Sequence, residues 1–418
     1  MNYDSNQLKA IEAEEQKVLV MANAGSGKTS TIVGAIDKFM TENPGANLVA
    51  ITFTKKAAAE LSLKTIMHPT VQASTIHSWS LKELNRLGRK HKFLVSLLQE
   101  LKIKELLLSI SKRFGYYSLN QFLLYSYITG NYNIDVPDEV KGKFRKVGDA
   151  YIKFKRDNRL YDFMDLPLYL YDVLTEYDEE IELDALFVDE FQDVDDVQAQ
   201  VFKRIKANKY FFVGDTRQSI YLFRDASPEV LKQFADFTRY SLNYNYRSYQ
   251  PIVDFANKIY VEGSDGYIEC LLDVRDLKGD NEIECVRGSR GCKLYTIDED
   301  SELALDLINN TTVDTNTLLQ RFMATKPYIL CRSNKQVKRI KELGYENVST
   351  VHQAKGLEYD NVVVTNFDLS SVEEVNVAYV ACTRAKNGMI VADYDTFLRD
   401  LSLLIYDNPE LLTHNTLF

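Results

Sequence analysis

The chain has 418 residues, of which 45% are hydrophobic, and its formal net charge is −10. Such a chain is typical of a globular protein with two or three domains. The negative net charge excludes a protein that coats nucleic acid through bulk positive charge. It does not exclude nucleic-acid binding in a local groove of aromatic and cationic side chains.

No run of about 18 uncharged apolar residues is present, and residues 1–16 are unlike a secretory signal. The 5 Cys and 5 His have no metal-binding spacing. We therefore expect a cytoplasmic protein with reduced thiols and no membrane contact.

The first half of the chain alternates strand-like apolar runs with helical patterns. Residues 18–21 form an apolar run that ends in a glycine-rich turn, and residues 27–40 continue with a helical pattern. Further strand candidates lie at residues 48–53, 185–188 and 210–213. This alternation is typical of a parallel sheet that is flanked by helices.

The pattern changes between residues 79 and 160. Residues 81–111 have a helical period and are rich in Leu and Lys. Two basic runs lie in this stretch, at residues 86–92 and 141–159. Taken alone, such runs are most often solvated helix faces. We interpret the stretch as a helical insertion.

The second half repeats the alternation of strands and helices, which predicts a second α/β domain. Its strand candidates are residues 328–331, 361–364 and 389–392, and a helix is predicted at residues 376–385. The predicted fold class is therefore α/β with parallel sheets. We expect a first domain at residues 1–78 and 161–242, the helical insertion at residues 79–160 and a second domain at residues 243–418.

The turn after the first strand has the composition of a phosphate-binding P-loop. It reads Ala22, Asn23, Ala24, Gly25, Ser26, Gly27, Lys28, Thr29 and Ser30. Backbone N–H groups of such a loop bind phosphate oxygens at the N-terminus of the next helix. Lys28 is expected to reach the β- and γ-phosphates, and Thr29 to bind Mg²⁺. Ala22 stands where the general pattern has its first glycine.

Nucleotide hydrolysis also needs carboxylates at the end of a second strand. Asp189 and Glu190 follow an apolar run, and we expect Asp189 to hold Mg²⁺ and Glu190 to polarise the attacking water. Cations that face the γ-phosphate are also required, and Arg247 and Arg384 are the candidates. Without the other motifs, a pair of adjacent acids after a strand is usually part of a loop. A single arginine is usually a surface salt-bridge residue.

Motifs on both sides of the P-loop carry a family resemblance. They lie at residues 4–7, 51–61, 75–78, 189–193, 213–224, 245–248, 351–358 and 378–386. With these segments, the chain resembles the UvrD/Rep type of superfamily-one DNA helicase from end to end. The resemblance implies two RecA-like domains with the nucleotide between them.

The resemblance also implies roles at the nucleotide. Gln7 is expected to read the adenine, Tyr246 to pack on it and Glu358 to lie near the ribose. Gln218 is expected to sense the γ-phosphate. Arg247 and Arg384 are expected to contact it as well.

Six positions match family residues that contact DNA. Phe53, Tyr221 and Phe223 are the candidates for stacking on bases, which tolerates any base sequence. Three departures stand out: Lys55 occupies the usual position of Asn, Phe223 that of Trp and Asp225 that of Gly. The predicted DNA-binding residues are Thr52, Phe53, His77, Tyr221, Phe223 and His352.

The implied function is that of an ATP-dependent helicase that moves 3′-to-5′ on single-stranded DNA and unwinds duplex DNA. ATP and Mg²⁺ are the expected cofactors. Single-stranded DNA, duplex junctions and replication or repair proteins are the expected partners. Residues 335–348 leave room for one helix and a turn, so we expect the large insertion of the family's second motor domain to be missing and the protein to be a monomer.

Alternative functions stay open at this point. One alternative to the helicase is a translocase that needs a partner in order to unwind. The other is a regulatory DNA-binding protein without catalysis. A related branch of the superfamily moves with opposite polarity, but its coupling motif usually continues Gln-Leu-Pro-Pro. Here Gln218 is followed by Ser219 and Ile220, which favours 3′-to-5′ movement.

Overall fold

The computed structural model describes most of the chain. The described residues are 2–128, 138–220, 229–264, 284–288, 291–298, 304–365 and 369–412. Two of the predicted DNA-binding residues, Tyr221 and Phe223, lie outside these ranges.

Sixteen helices are assigned within the described residues. In chain order they are α1 (Ser5–Ile11), α2 (Lys28–Glu42), α3 (Lys55–Lys64), α4 (Ile76–His91), α5 (Glu100–Arg113), α6 (Gln121–Ile128), α7 (Asp138–Asp157), α8 (Leu166–Glu176), α9 (Asp196–Lys203), α10 (Glu229–Lys232), α11 (Gln250–Ser264), α12 (Thr315–Met323), α13 (Asn334–Glu342), α14 (Val351–Ala354), α15 (Val372–Cys382) and α16 (Tyr394–Asp407).

The strands of the same residues are β1 (Lys17–Ala22), β2 (Leu48–Thr52), β3 (Val71–Thr75), β4 (Ile181–Val188), β5 (Ile205–Gly214), β6 (Thr238–Leu242), β7 (Tyr244–Asn245), β8 (Glu284–Cys285), β9 (Lys293–Ile297), β10 (Ala304–Asp306), β11 (Thr311–Val313), β12 (Tyr328–Cys331), β13 (Val348–Thr350), β14 (Tyr359–Thr365) and β15 (Ala385–Ala392).

A six-stranded sheet has the order β3-β2-β4-β5-β1-β6. Strand β2 pairs in parallel with β3 and β4, and β1 pairs in parallel with β6. Every residue of β2 is buried, as expected for a parallel strand that is covered on both faces. The expected parallel sheet and α/β class are confirmed.

A seven-stranded sheet has the order β11-β10-β9-β15-β14-β12-β13. Its strands β9, β15, β14, β12 and β13 pair in parallel, but β10 pairs antiparallel with β9 and with β11. The sheet is therefore parallel except at this edge, which the sequence did not predict. A short turn joins β10 to β11, with Asn310 at a φ of 52°, and such a connection permits only antiparallel neighbours.

Contacts within the chain define two compact units. Unit 1 contains Met1–Phe39, Asp189–Val194 and Phe211–Phe418, and unit 2 contains Met40–Val188 and Asp195–Tyr210. In unit 1, a core cluster that includes Leu330, Val362 and Tyr379 lies beside the seven-stranded sheet.

Unit 2 contains the predicted helical insertion, which packs around a core of its own. Ile103, Leu107, Phe144 and Tyr151 are buried in this core, which joins α5, α6 and α7. Tyr151 is 1% exposed within this core, whereas Tyr117 is exposed.

The helical pattern over residues 81–111 is not one helix. Helix α4 ends at His91, because Lys92 takes a left-handed conformation and its N–H donates to the Gly88 carbonyl. A side chain at Gly88 would place Cβ 2.7 Å from the Phe93 carbonyl oxygen. Gly88 therefore permits the chain to turn back, and the next helix begins only at Glu100.

A search of the described residues for a helix that is long and apolar enough to cross a membrane finds none.

Candidate active site

Strand β1 leads directly into the P-loop, and α2 begins at Lys28. Gly25 and Gly27 both have positive φ, at 74° and 82°, a conformation that favours glycine. The first N–H groups of a helix have no partner within the helix. The loop and the start of α2 therefore form a cradle that suits phosphate oxygens.

Gln7 lies against this loop. It is held by a capping box at the start of α1, where the Asp4 carboxylate accepts from the Gln7 N–H and Gln7 Oε1 accepts from the Asp4 N–H. Gln7 Nε2 donates to the Ser26 carbonyl at 3.1 Å. A side chain at Gly27 would place Cβ 2.5 Å from Gln7 Nε2. Glycine is thus required at position 27 both by backbone conformation and by the close approach of Gln7.

The segment that carries Tyr246 and Arg247 is fastened to the same loop. The Asn245 side chain is 1% exposed, and its Nδ2 donates to the Ala24 carbonyl at 2.7 Å. The Tyr246 N–H donates to the Gly25 carbonyl at 2.9 Å. Asn245 Oδ1 also accepts from the Arg247 N–H. Asn245 therefore places both predicted nucleotide contacts.

The Tyr246 ring is 41% exposed, and its hydroxyl donates to Asp4 Oδ2 at 2.6 Å. Burial of the hydroxyl, followed by this hydrogen bond, raises the pKa of Tyr246. Asp4 thus links two residues that were predicted to contact the same base, since it caps the helix of Gln7 and accepts from Tyr246.

The predicted catalytic acids follow β4 directly. Glu190 has a left-handed backbone, with φ 53°, and its N–H donates to Asp189 Oδ1 at 2.9 Å. Burial would raise the pKa of Glu190, but Lys28, Lys355 and a hydrogen bond from Gln192 outweigh it and lower the pKa overall. The Glu190 carboxylate is therefore ionised at neutral pH, as a base must be.

Gln192 connects Glu190 to the predicted coupling motif. Its Nε2 donates to Glu190 Oε2 at 2.6 Å, and its Oε1 accepts from the Asp215 N–H at 2.8 Å. Asp215 in turn accepts from Gln218 Nε2 at 2.5 Å. The Lys28 ammonium lies 3.8 Å from Asp215 Oδ2, an ion pair that is longer than a hydrogen bond.

Arg384 is 1% exposed and is held by four oxygens. Its Nη2 donates to Gln218 Oε1 at 3.2 Å and to the Thr383 hydroxyl, and its other nitrogens donate to the carbonyls of Val380 and Leu357. Burial and the nearby Arg247 lower the pKa of Arg384 to about 9. The guanidinium is still charged at neutral pH, in the neighbourhood of Glu190 and Asp215.

Arg247 and Glu358 form an ion pair, with Arg247 Nε 2.9 Å from Glu358 Oε2. Lys386 pairs with the other oxygen of Glu358 at 2.8 Å. Arg247 Nη1 also donates to the Thr383 carbonyl at 3.1 Å. Burial would raise the pKa of Glu358, but the two cations lower it.

A buried ion pair joins Lys355 to Asp193. The ammonium donates to both carboxylate oxygens, at 2.8 and 2.6 Å, and to the Gln218 carbonyl at 2.7 Å. Burial and the charge of Glu190 raise the pKa of Asp193 to about 6, although Lys355 opposes this. Lys355 follows directly after α14, the short helix that carries His352.

The surroundings of His352 keep its ring neutral. Burial and the charge of Arg332 lower the pKa of His352 to about 4. Arg332 itself binds Glu374 through Nε, at 2.7 and 3.0 Å. A neutral ring at position 352 fits hydrogen bonding or stacking rather than ion pairing with phosphate.

The remaining described DNA-binding candidates lie in unit 2. Thr52 is buried at the end of β2, and its hydroxyl donates to the Thr54 carbonyl. Phe53 follows it and is partly buried. The His77 ring stacks on Phe163, with centroids 5.7 Å apart and planes at 14°. Phe163 is 49% exposed.

No group of three or more His, Cys, Asp or Glu that suits a metal ion occurs among the described residues. Mg²⁺ in nucleotide sites is bound by one or two protein oxygens together with phosphate and water. Thr29 at the start of α2 and Asp189 directly after β4 supply such oxygens, so the residue types present fit Mg²⁺.

The structure brings the predicted nucleotide residues together in unit 1. Three further residues, which the sequence did not single out as site residues, bind to members of this group: Asn245, Gln192 and Lys355. All three lie inside recognised motifs, which was the available signal. Their hydrogen bonds to Ala24, Asp215 and Asp193 span 221, 23 and 162 positions of sequence, and this is why their roles were missed. The roles of all site residues stay predictions.

Comparison with known proteins agrees with this arrangement. The sequence model of the UvrD/REP helicase N-terminal domain matches residues 3–238, and that of the UvrD-like helicase C-terminal domain matches residues 347–392.

Similar proteins include the ATP-dependent DNA helicase PcrA of Bacillus subtilis, 30% identical over 333 residues, which cover 68% of this chain and 44% of PcrA. The putative ATP-dependent DNA helicase YjcD of the same organism is 27% identical over 311 residues, which cover 65% of this chain and 40% of YjcD. A probable DNA helicase of Mycoplasma pneumoniae is 24% identical over 448 residues, which cover 92% of this chain and 82% of that protein. The chain thus spans less than half the length of PcrA and YjcD.

Proposed function

Because the chain belongs to the UvrD/REP helicase family, we propose that it is an ATP-dependent DNA helicase that moves 3′-to-5′ on single-stranded DNA and unwinds duplex DNA. One observation carries the proposal. A continuous set of hydrogen bonds and charge interactions in unit 1 connects four predicted catalytic residues: Lys28, Glu190, Gln218 and Arg384. Such convergence of a phosphate-binding lysine, a base and a buried arginine is what phosphoryl transfer requires.

ATP binds with its phosphates on the P-loop and its base beside Gln7 and Tyr246. The contacts of Gln7 with Ser26 and of Tyr246 with Gly25 support this placement, since both residues lie directly on the loop. The exposed Tyr246 ring offers a flat surface for the base. Glu358, which pairs with Arg247 at 2.9 Å, contacts the ribose region in this proposal.

Hydrolysis uses the carboxylate of Glu190 to orient the attacking water and to receive its proton. Gln192 donates to this carboxylate and accepts from the Asp215 N–H, so it connects the base to the coupling motif. Arg384 and Arg247 stabilise the charge that develops on the γ-phosphate. Thr29 and Asp189 would hold Mg²⁺, which would neutralise part of the phosphate charge.

Lys355 supports a link between DNA and hydrolysis. It follows the helix of His352, a predicted DNA contact, and it binds Asp193 and the Gln218 carbonyl. A shift of that helix on DNA binding would move the Lys355 ammonium relative to Asp193, Gln218 and Glu190, and so would change the charge environment of the base. We expect hydrolysis to respond to DNA through this connection.

Single-stranded DNA is held by aromatic and polar side chains rather than by bulk positive charge. His77 and Phe163 form a stacked pair with an exposed ring face, which suits a base of any sequence. Thr52 and Phe53 contribute from the end of β2. We include Phe163 among the DNA-binding residues for this reason.

The exposed face of α7 suits duplex DNA at the junction. Arg145, Lys153 and Arg156 are exposed, and none of them forms an ion pair with any residue that the structure describes. Lys143 and Lys146 lie over the rings of Tyr116 and Phe114, at 5.7 and 4.9 Å. Unneutralised cations on an acidic protein are the expected footprint of a phosphate backbone.

We propose the domain division that the sequence predicts: two RecA-like domains, at residues 1–78 with 161–242 and at residues 243–418, and an insertion at residues 79–160. The protein acts as a monomer. Its cellular partners are replication or repair proteins, and its place is with nucleic acid in the cytoplasm.

Unwinding of duplexes with a 3′ or a 5′ single-stranded tail tests the proposal. We expect ATP-dependent unwinding of the 3′-tailed substrate only, and ATPase activity that single-stranded DNA stimulates. Preference for the 5′ tail would refute the polarity, and the absence of DNA-stimulated ATPase would refute the motor function.

A second candidate is a translocase that unwinds only with a partner. Between Arg332 and His352 the described chain contains α13 and β13 and no further domain, so the large insertion that the family resemblance leads one to expect there does not occur. ATPase and translocation without unwinding would favour this function. Unwinding by the purified protein alone would exclude it.

A further inference from the structure

Arg287 lies directly after β8, outside the recognised motifs. Strand β8 pairs in parallel with β7, and the Val286 N–H donates to the Asn245 carbonyl at 3.0 Å. The Gln250 side chain accepts from the Cys285 N–H at 2.8 Å. The backbone around Arg287 is therefore fixed to the strand that ends one residue before Tyr246.

The Arg287 guanidinium binds two separate stretches of chain. Its Nη1 donates to the Arg247 carbonyl at 2.8 Å and to the Lys386 carbonyl at 3.2 Å. Its Nη2 donates to Asn387 Oδ1 at 2.7 Å. The guanidinium also lies 4.0 Å from the centroid of the Tyr249 ring.

These contacts connect the backbone of Arg247 to the first residues of β15, the strand that begins directly after Arg384. The Ser248 hydroxyl donates to the Ala385 carbonyl at 2.6 Å, and the Tyr249 N–H donates to the Lys386 carbonyl at 3.3 Å. Arg287 contributes the charged side chain to this set of contacts, and its planar guanidinium donates to three acceptors at once. A lysine in its place has a single ammonium and no plane to stack on Tyr249.

We propose that Arg287 is a positioning residue for ATP hydrolysis, which anchors the backbone of Arg247 to β15 and so aims the Arg247 side chain. This role rests on the proposed function, because it assigns Arg287 to the same site. It predicts an effect on turnover rather than on nucleotide affinity, since the P-loop, Gln7 and Lys28 bind ATP without contact to Arg287. A displacement of about 1 Å at such a site costs on the order of a hundredfold in rate.

The test compares Arg287→Ala and Arg287→Lys with the parent protein and with Arg321→Ala, an exposed arginine of α12. We measure kcat and KM for ATP with saturating single-stranded DNA, and the binding of a fluorescent ADP analogue. We expect Arg287→Ala to lower kcat about tenfold or more, with KM and ADP affinity within about threefold. Arg287→Lys is expected to restore less than half of the lost activity, and Arg321→Ala to behave as the parent.

A double variant shows whether the effect passes through Arg247. If it does, Arg287→Ala lowers kcat less than about twofold in an Arg247→Ala background, because the anchored side chain is already gone. A full additional loss in that background would overturn the proposal, as would a parent-like kcat for Arg287→Ala or a loss confined to KM. Thermal unfolding of Arg287→Lys checks that the fold is retained. A parent protein without ATPase would instead refute the proposed function itself.

Discussion

Two buried charge clusters, one in each unit, differ in how their lysines are bound. In unit 2, Lys155 donates to Asp162 at 2.8 Å and to Asp165 at 2.6 Å. In unit 1, Lys28 lies 3.8 Å from Asp215, and none of the described residues accepts a hydrogen bond from its ammonium. Both lysines are largely buried.

The difference separates a structural cluster from a site built for a ligand. The Tyr151 hydroxyl completes the cluster of unit 2 by donating to Asp162, so α7 is fixed to the turn that precedes α8. In unit 1, the donors of Lys28 face Asp215 and Glu190 without a close contact. A buried charge that its own protein satisfies stabilises the fold, whereas one that is less closely bound is suited to bind substrate.

The largest effect is expected for Lys28→Ala. Loss of the ammonium removes a contact to the β- and γ-phosphates, so DNA-stimulated phosphate release should fall on the order of a thousandfold. The free energy of unfolding in urea should change by less than about 1 kcal/mol, because no hydrogen bond is lost. Lys112→Ala, at an exposed position, serves as the control. Retention of more than a tenth of the activity would contradict the assignment.

The opposite outcome is expected for Lys155→Met. This change leaves Asp162 and Asp165 without their cation, and should lower the free energy of unfolding by about 3–5 kcal/mol. ATPase per folded molecule should stay unchanged. The neighbouring exposed Lys153 is the matched control, and Lys153→Met should cost less than about 0.5 kcal/mol. Equal stability of both variants would mean that the cluster is not structural.

Two aspartates, Asp193 of unit 1 and Asp162 of unit 2, should also respond to pH with opposite sign. The raised pKa of Asp193, about 6, means that its contribution to stability is fully present below its ordinary pKa and is lost as pH rises through 6. The unfolding free energy of the parent relative to Asp193→Asn should therefore fall between pH 4 and 6, by up to about 3 kcal/mol.

Asp162 provides the comparison for this experiment. Burial would raise its pKa, but Lys155 and Tyr151 lower it overall. Its contribution is present above its ordinary pKa and is lost as pH falls. Urea unfolding from about pH 2 to 7 should thus show the contribution of Asp162 decreasing as pH falls below its ordinary pKa, and that of Asp193 decreasing as pH rises toward 6. The same direction of change for Asp162→Asn and Asp193→Asn would be inconsistent with these pKa directions.

A smaller effect is expected at the surface of unit 2. Phe163→Ala removes a ring that stacks on His77 and should weaken binding of single-stranded DNA by about 1–3 kcal/mol. Phe122, also an exposed phenylalanine of this unit, is the control. Fluorescence anisotropy with a labelled oligonucleotide measures both, and equal losses would indicate a general effect on the unit.

The smallest effect is expected for the α7 face. Replacement of Arg145, Lys153 and Arg156 by Gln should weaken binding of a tailed duplex about threefold to tenfold and should reduce the slope of log K against log salt by up to about 3. Binding of single-stranded DNA alone should keep its slope. A reduced slope for both substrates would mean that the α7 face binds the single strand rather than the duplex.

Much of the fold could be predicted because its signals are local. The run at residues 18–21, the glycine-rich turn and the helical pattern after it correspond to β1, the P-loop and α2. The break after His91 was not predicted, because it depends on the packing of the Phe93 backbone on Gly88. The antiparallel edge formed by β10 and β11 was missed because these strands have only three residues each.

The sequence by itself determined which residue types are available for chemistry and the family to which the chain belongs, since both lie in short contiguous motifs. Tertiary structure decided what each of these side chains binds. Lys355 reaches Asp193 across 162 positions of sequence, and Arg287 reaches Asn387 across 100. Such contacts depend on how strands are ordered in a sheet and how loops pack at its edge, which no local pattern encodes.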